Sequence, residues 1–416
     1  MKKPGMMIVI WMVFLMESSV LWAGGADNKT NWSAEYIGIL NRNAATDSAD
    51  IVMYNPAGVM KMENGFYGNV SAHYIAKDYN NKINGQDFDQ DKYSIVPGIF
   101  TIYKKSKWAV FFGVSNVVGG GKVDFENGNA TTNFVRMVLS GGLSPYIDEN
   151  LKAEAIGLGY TIGGAYSFND MWSVSLGVRY VKSDRKMKGL VTLPGPFPID
   201  LSFEEEADGF GGIIGINFSP FDTLNFGLHY DTKVDLDYEA DVKRDFMTPG
   251  GPLLSSFGVV DGQKRSRNLP AVLAAGVSYK ISPKIRAESN LTLYLNNNAG
   301  FKDIAGTSRD ESAVDNGYDI GIGFEYACTD TLKVTLGYLY TNTGVDAKDM
   351  TPELPELDAH TLGSSLGYQM NENLNLIFSL GHVFYKDASF INRFDQPITY
   401  EKEITFLAFG IQYKFF

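Results

Sequence analysis

From residue 64 to Phe416 the chain alternates apolar and polar side chains with a period of two, segment after segment. That period puts successive side chains on opposite faces of a strand, and few windows carry the spacing of a helix. Thr223 to Ala240 sets Leu224, Phe226, Leu228, Tyr230, Val234, Leu236 and Tyr238 against Asn225, Gly227, His229, Asp231, Lys233, Asp235 and Asp237. In Ala155 to Phe168 the face opposite Ile156, Leu158, Tyr160, Ile162 and Tyr166 holds only small residues. Fourteen such segments can be read, near 64–78, 93–105, 107–118, 155–168, 171–186, 208–219, 223–239, 269–281, 283–296, 315–328, 331–343, 359–371, 373–386 and 403–416. After each even-numbered segment the chain turns within a few residues, as at Asn169-Asp170 and Thr329-Asp330; after the odd-numbered ones it takes longer paths. Short turns at one end and long loops at the other are the layout of an outer-membrane barrel. Such a sheet must close, because backbone facing hydrocarbon has to be paired. The expected fold is therefore all-β, a fourteen-stranded antiparallel transmembrane β-barrel over residues 64–416, too wide for small inner side chains to fill. A secreted sandwich or solenoid would not carry outward tyrosines and phenylalanines on nearly every strand.

Lys2 and Lys3, the apolar stretch from Met6 to Met16 and the cluster Ala23, Gly24, Gly25, Ala26 have the layout of a secretory signal peptide, cleaved near residue 25. The apolar core is too short to span a bilayer comfortably, so export is preferred to anchoring. A formal charge of −12 without a basic stretch interleaved with aromatics sets nucleic acid aside. The mature chain has no apolar run of the roughly 20 residues that a helical span needs. The single Cys328 makes no internal disulfide. His73, His229, His360 and His382 lie on different strands without ligand spacing, so no metal is expected. Gly363-Ser364-Ser365-Leu366-Gly367 matches a nucleophile elbow only in spacing, since it sits inside a strand with no helix after it. Neither a catalytic residue nor a cofactor is expected.

Residues 26–63 do not alternate. They contain Asn41-Arg42-Asn43-Ala44-Ala45 and, after Asp50, the run Asn55-Pro56-Ala57-Gly58, whose steps favour defined turns. That favours an internal plug over a disordered tail. With this segment, the Leu269-Pro270 approach to the eighth strand, the Pro352 to Asp358 approach to the twelfth and the aromatic last strand, the sequence resembles the FadL family of outer-membrane transporters for long-chain fatty acids and other hydrophobic compounds. The resemblance covers essentially the whole mature chain. It implies that residues 26–63 form a hatch inside the barrel, with Asp50, Asn55, Pro56, Ala57 and Gly58 as its marked positions. It also implies passive uptake, with hydrophobic ligands captured at extracellular loops, bound in a lumenal pocket against the hatch, and released laterally or to the periplasm. For the lateral opening the resemblance points to the third strand, where Gly113, Ser115 and Asn116 precede Gly119, Gly120 and Gly121; glycine inside a strand permits a kink. A flexible loop base is the alternative.

The loops carry matching residues. Leu190, Val191, Leu193, Phe197 and Ile199 face a second cluster of Leu253, Leu254 and Phe257, and the long Gly119 to Glu154 loop adds Phe134 and Val135. Exposed apolar clusters of this kind bind something, or else pack on each other as a cap. For a carboxylate, Arg185 with Arg179 deeper lies on the face opposite Trp172, Val174, Leu176, Val178 and Tyr180. A guanidinium offers paired donors to a carboxylate, and a structural ion pair is the competing role. The family's second basic residue near the tenth strand is replaced by Asp315 and Asn316, which leaves neutral hydrocarbons and aromatics open beside fatty acids. Leu407, Phe409, Ile411, Tyr413 and Phe415 form an apolar row in the last strand with Phe416 one residue beyond, a signal for the barrel-assembly machinery and a surface for outer-membrane lipid. A general aqueous porin is the runner-up reading.

Overall fold

In a computed structural model, residues 33–140, 148–194, 197–299, 302–303, 307–308 and 314–416 are described. The signal peptide and residues 26–32 lie outside them. Fourteen long strands form one closed antiparallel sheet: β1 (Gly65–Ile83), β2 (Tyr93–Lys105), β3 (Trp108–Phe125), β4 (Asp148–Ser167), β5 (Trp172–Leu193), β6 (Phe197–Phe221), β7 (Leu224–Asp231), β8 (Ala271–Ser282), β9 (Ile285–Leu295), β10 (Gly317–Ala327), β11 (Leu332–Asn342), β12 (Ala359–Asn371), β13 (Leu374–Tyr385) and β14 (Pro397–Lys414). Closure is the pairing of β1 with β14, in register from Tyr67 opposite Lys414 to Ile83 opposite Ile398. The outward row of β5 is exposed at Trp172, Leu176 and Val178, as lipid contact requires. Aromatic pairs mark both rims: Trp172 stacks on Phe218 at 4.1 Å and Phe66 meets Phe415 at 5.1 Å near the short turns, while Tyr74 stacks on Tyr93 at 5.2 Å and Tyr180 meets Phe210 at 4.9 Å at the other end. The tyrosines and the tryptophan among them join an apolar body to a polar tip, which suits the membrane interfaces.

The strands on one side run well past the lengths read from sequence. β4 begins at Asp148 instead of residue 155, β5 continues to Leu193 instead of 186, and β6 starts at Phe197 instead of 208. The cause is a change in which face is apolar. Up to Tyr180 the apolar residues of β5 point outward; above it the outward positions are Lys182, Asp184, Lys186 and Lys188, while Val181, Met187 and Val191 turn inward. The row switches faces where the hydrocarbon ends, so Leu190–Leu193 and Phe197–Asp200 are paired strands of a β-arm rather than a wandering loop. The seventh strand is corrected in the same way. It breaks after Asp231 and resumes as Asp237–Arg244, paired to β6 from Ser202 to Glu206. Leu236 and Tyr238, expected on the outer face with Leu228, are fully buried, because the break shifts the parity by one residue.

Residues 34–61 fold inside the sheet as α1 (Ala34–Ile39) and two 3₁₀ turns, Ala49–Met53 and Pro56–Lys61. Polar side chains of the wall hold the backbone of this hatch. Thr335 Oγ1 donates to Gly38 O at 2.7 Å, Ser379 Oγ to Ala34 O at 2.6 Å, Ser173 Oγ to Ala57 O at 2.9 Å and Asn225 Nδ2 to Ala44 O at 2.8 Å. On β4 the room left by Gly157, Gly159 and Gly163 is taken by Val118, Val117 and Phe111 of β3, whereas the bare inner face of β12 is explained by the hatch. A Cβ on Gly363 of β12 would fall 1.9 Å from Ile37 O, so the hatch backbone occupies the space a side chain would need.

Candidate ligand path

A cavity of about 580 Å³ opens at the extracellular mouth, a size typical of small-molecule sites. One wall is α2 (Ala130–Leu139), started by a capping box in which Asn129 Oδ1 accepts from Thr131 N and Thr132 N, and Thr132 Oγ1 accepts from Asn129 N at 2.8 Å. Its Phe134 and Val135 pack with Val191 and Ile199 of the β5–β6 arm and with Leu253 and Phe257 at α3 (Leu253–Ser256). Phe134, Val191, Leu254 and Phe257 line the cavity. Leu193 is partly buried against the same cluster, Leu190 stands on the opposite parity from Val191, and Phe197 is the first residue of β6. At the rim, the Arg393 guanidinium lies over the Phe134 ring at 4.2 Å. Across the mouth, Glu353 of the β11–β12 loop accepts from Asn129 Nδ2 at 3.0 Å and Thr131 Oγ1 at 2.5 Å, tying that loop to α2.

Met187 and Phe203 also line a smaller chamber below, of about 80 Å³, so the two spaces share a wall. The chamber is basic. Lys77, Arg185, Arg265 and Arg267 line it with Glu205, Glu353 and Glu154, and Glu154 faces Lys122 at 3.6 Å. Arg185 approaches Glu205 at 3.6 Å and lies over the Tyr238 ring at 5.3 Å; Arg265 binds the other oxygen of Glu205. Arg179, six residues lower on the same face, pairs with Asp231 at 2.9 Å and donates to Thr161 at 3.1 Å, and His229 Nε2 meets the same carboxylate at 2.7 Å. Arg185 therefore belongs to the chamber, whereas Arg179 is tied into the wall by a neighbouring-strand acid. Lys77, Glu205, Arg265 and Arg267 escape the sequence reading. Lys77 leaves one signal, a charge on the inward row of β1; Arg265-Ser266-Arg267 leaves another, a basic pair just ahead of Leu269-Pro270.

Beside the chamber, β3 departs from β2. Gly113 and Ser115 stay in the ladder, opposite Phe100 and Gly98, and pairing with β2 ends there. Two irregularities follow, between Asn116 and Val118 and between Val118 and Gly121, with Gly119 at φ +77° and Gly121 at φ +87°. Val118 turns fully inward onto Gly157, whose missing side chain makes room for it.

On the periplasmic side the hatch is fixed by charge. Arg42 donates to both oxygens of Asp50, at 3.0 and 2.6 Å, and pairs with Asp47 at 2.8 Å; Arg286 of β9 then pairs with Asp47, Glu288 and Glu325. Ser33 Oγ donates to Asp50 at 2.5 Å. Asn55 is the cap of the second 3₁₀ turn: its Oδ1 accepts from Ala57 N at 3.3 Å, and its Nδ2 donates to Asn43 O and to Ile216 O of β6, both at 3.1 Å. Pro56 starts that turn, where a missing N–H costs nothing. A Cβ on Gly58 would fall 2.4 Å from Ala45 O.

Glu35 of α1 is buried, its Oε1 accepting from Ser48 Oγ at 2.9 Å and Asn69 Nδ2 at 2.5 Å. Burial pushes its carboxyl up to about 7; the Asp50 carboxylate adds to the rise and the Arg42 guanidinium opposes it. An undocked hatch returns Glu35 to the ordinary glutamate range near 4.5. The docked state thus holds the proton more tightly, and docking is strongest below that value and weakens as pH rises to 7. At about 1.4 kcal/mol per unit the loss is about 3 kcal/mol. Proteolytic cleavage within residues 34–61 is expected to be about 100-fold faster at pH 8 than at pH 4.5, with Glu35→Gln removing the dependence. A flat wild-type profile refutes this assignment.

Residues 18–415 match the family of outer membrane protein transport proteins that comprises OMPP1, FadL and TodX. The chain belongs to this family. It is an outer-membrane transport protein, and its closed fourteen-stranded barrel matches those of FadL-like proteins. Among solved structures, a Pseudomonas aeruginosa FadL homologue superposes with a TM-score of 0.70 at 14% identity, covering 95% of this chain and 100% of that one. The Ralstonia pickettii toluene transporter TbuX gives 0.66 at 16%, covering 94% and 100%, and the P. putida toluene transporter TodX gives 0.65 at 12%, covering 89% and 96%. No curated protein matches the sequence.

Proposed function

We propose that this FadL-family barrel takes up hydrophobic molecules that carry an anionic head, long-chain fatty acids above all. The observation that carries the reading is the succession of an apolar cavity and a basic chamber sharing Met187 and Phe203. Burying an alkyl tail is worth about 0.8 kcal/mol per methylene, so the mouth captures ligand without an energy source. Two arginines around Glu205, with Arg267 and Lys77 beside them, outnumber the chamber's acids and suit a carboxylate. No covalent step is needed, and the role is not enzymatic. Outward rows such as that of β14 would meet outer-membrane lipid and, during insertion, the barrel-assembly machinery.

A second reading, neutral hydrocarbons or aromatics, is favoured by two observations: TodX and TbuX are toluene transporters, and Arg179 is already paired. One titration separates them. Purified protein is expected to bind a fluorescent sixteen-carbon polyene acid at least tenfold more tightly than its methyl ester, and Arg185→Ala with Arg265→Ala to erase that preference while leaving the ester's affinity in place. Equal binding of acid and ester supports the neutral reading. Binding of neither supports an aqueous porin.

A further inference from the structure

We propose that Lys77 is the latch of a lateral exit between β2 and β3, and that the acidic head of a ligand in the basic chamber releases it. The inference rests on the uptake reading above and adds a residue that decides which ligands leave.

The seam is incomplete as a sheet. β2 remains paired to β1 as far as Tyr93 opposite Ala76, whereas its pairing to β3 stops at Gly98 opposite Ser115. Above that point β3 turns inward and follows β4, with Gly121 opposite Ala155. Backbone groups that lose their ladder beside hydrocarbon cost several kcal/mol each unless something else pairs them. Lys77 does so. Reaching from β1, its Nζ donates to Ser94 Oγ at 2.8 Å, Gly120 O at 3.0 Å and Lys122 O at 2.5 Å, and Ser94 Oγ donates to Gly120 O at 3.1 Å. One buried ammonium thus stitches β1, β2 and the kinked part of β3 together across the gap.

The same ammonium lines the chamber. Its three acceptors here are neutral, and among the described residues it forms no ion pair. A hydrogen bond to a carboxylate is about twice as strong as one to a neutral acceptor. An acid seated in the chamber therefore competes for Lys77, draws it off Gly120 and Lys122, and leaves the Ser94 Oγ to Gly120 O hydrogen bond to hold the seam. The tail can then pass into the bilayer. A neutral ligand of the same length fills the mouth equally well but lacks the group that opens the seam. Lys77 acts by position, through the strands it holds.

The test loads wild-type protein in nanodiscs with the polyene acid or its methyl ester and follows transfer to a quencher-labelled lipid by stopped flow. The acid is expected to leave at least tenfold faster than the ester. Lys77→Met should bring the ester's transfer rate to within twofold of the acid's while leaving the ester's dissociation constant in place, and Lys77→Arg should restore discrimination. A seam lock checks the route: a Cβ on Gly121 falls 3.0 Å from Ser94 Cβ, within about half an ångström of a disulfide's span. Ser94→Cys with Gly121→Cys, in a Cys328→Ser background, should stop transfer of both probes when oxidised and release it on reduction. An unchanged acid-to-ester ratio in Lys77→Met, or unhindered transfer through the oxidised lock, overturns the latch while leaving the uptake reading intact. Failure of the wild-type protein to bind either probe overturns both.

Discussion

Deletion of residues 34–61 is expected to raise single-channel conductance at least tenfold and to make cells permeable to large hydrophilic antibiotics. A fourteen-stranded barrel is wider than its own inner side chains can fill, and here the filling is main chain. α1 lies across β10 to β14, and the two 3₁₀ turns lie against β1 to β6. Much of the wall against the hatch is glycine or a small hydroxyl: a Cβ on Gly337 would fall 2.3 Å from Ile39 O, and Ser173, Thr335 and Ser379 spend their hydroxyls on hatch carbonyls. Removing the segment leaves a lumen lined by polar groups that water can satisfy, so the sheet is expected to survive its loss. The measurement is planar-bilayer conductance of the purified deletion beside the intact chain. An unchanged conductance would mean that water already passes, and the aqueous-porin reading would stand.

Much of this barrel is legible in the sequence because hydrocarbon imposes a strict rule on it. Between Trp172 and Tyr180 every second residue of β5 must be apolar, and the period reports the strand directly. The rule stops at the membrane surface. From Val181 upward the apolar residues belong to an internal cluster on the opposite parity, and a reading that follows the greasy row loses the strand there. Leu236 and Tyr238 mislead for the same reason, with a break at Thr232 to Leu236 supplying the shift. Parity also puts Arg185 in the lumen, since that requires only counting along one strand. It does not reveal that Arg265 shares Glu205 with it, because a loop some eighty residues later delivers that side chain. The hatch shows the same division. Asn55-Pro56 announces a turn locally, whereas the pairing of Asp47 with Arg286 joins residues more than two hundred positions apart and leaves no pattern in either neighbourhood.

That long-range grip makes Arg42 the residue whose loss should free the hatch most. Asp50 is fully buried, and Arg42 meets both of its oxygens while also pairing with Asp47, which leads on to Arg286. Breaking a buried ion pair by removing one partner costs about 3–5 kcal/mol, because the remaining charge is left without compensation. Arg42→Met therefore strands Asp50 in the docked hatch with Ser33 Oγ as its remaining strong donor, while in the undocked state water solvates it. At about 1.4 kcal/mol per tenfold, the docked-to-undocked ratio should fall by at least 100-fold. Cleavage within residues 34–61 by a periplasmic-side protease is expected to accelerate by that factor, with bursts of porin-like conductance. Arg42→Met combined with Asp50→Asn removes the orphaned charge and should recover most of the loss, whereas Asp50→Asn alone still leaves Arg42 paired to Asp47. If Arg42→Met cleaves at the wild-type rate, the charge network does not hold the hatch, and its retention comes from the hydroxyl and glycine contacts of the wall.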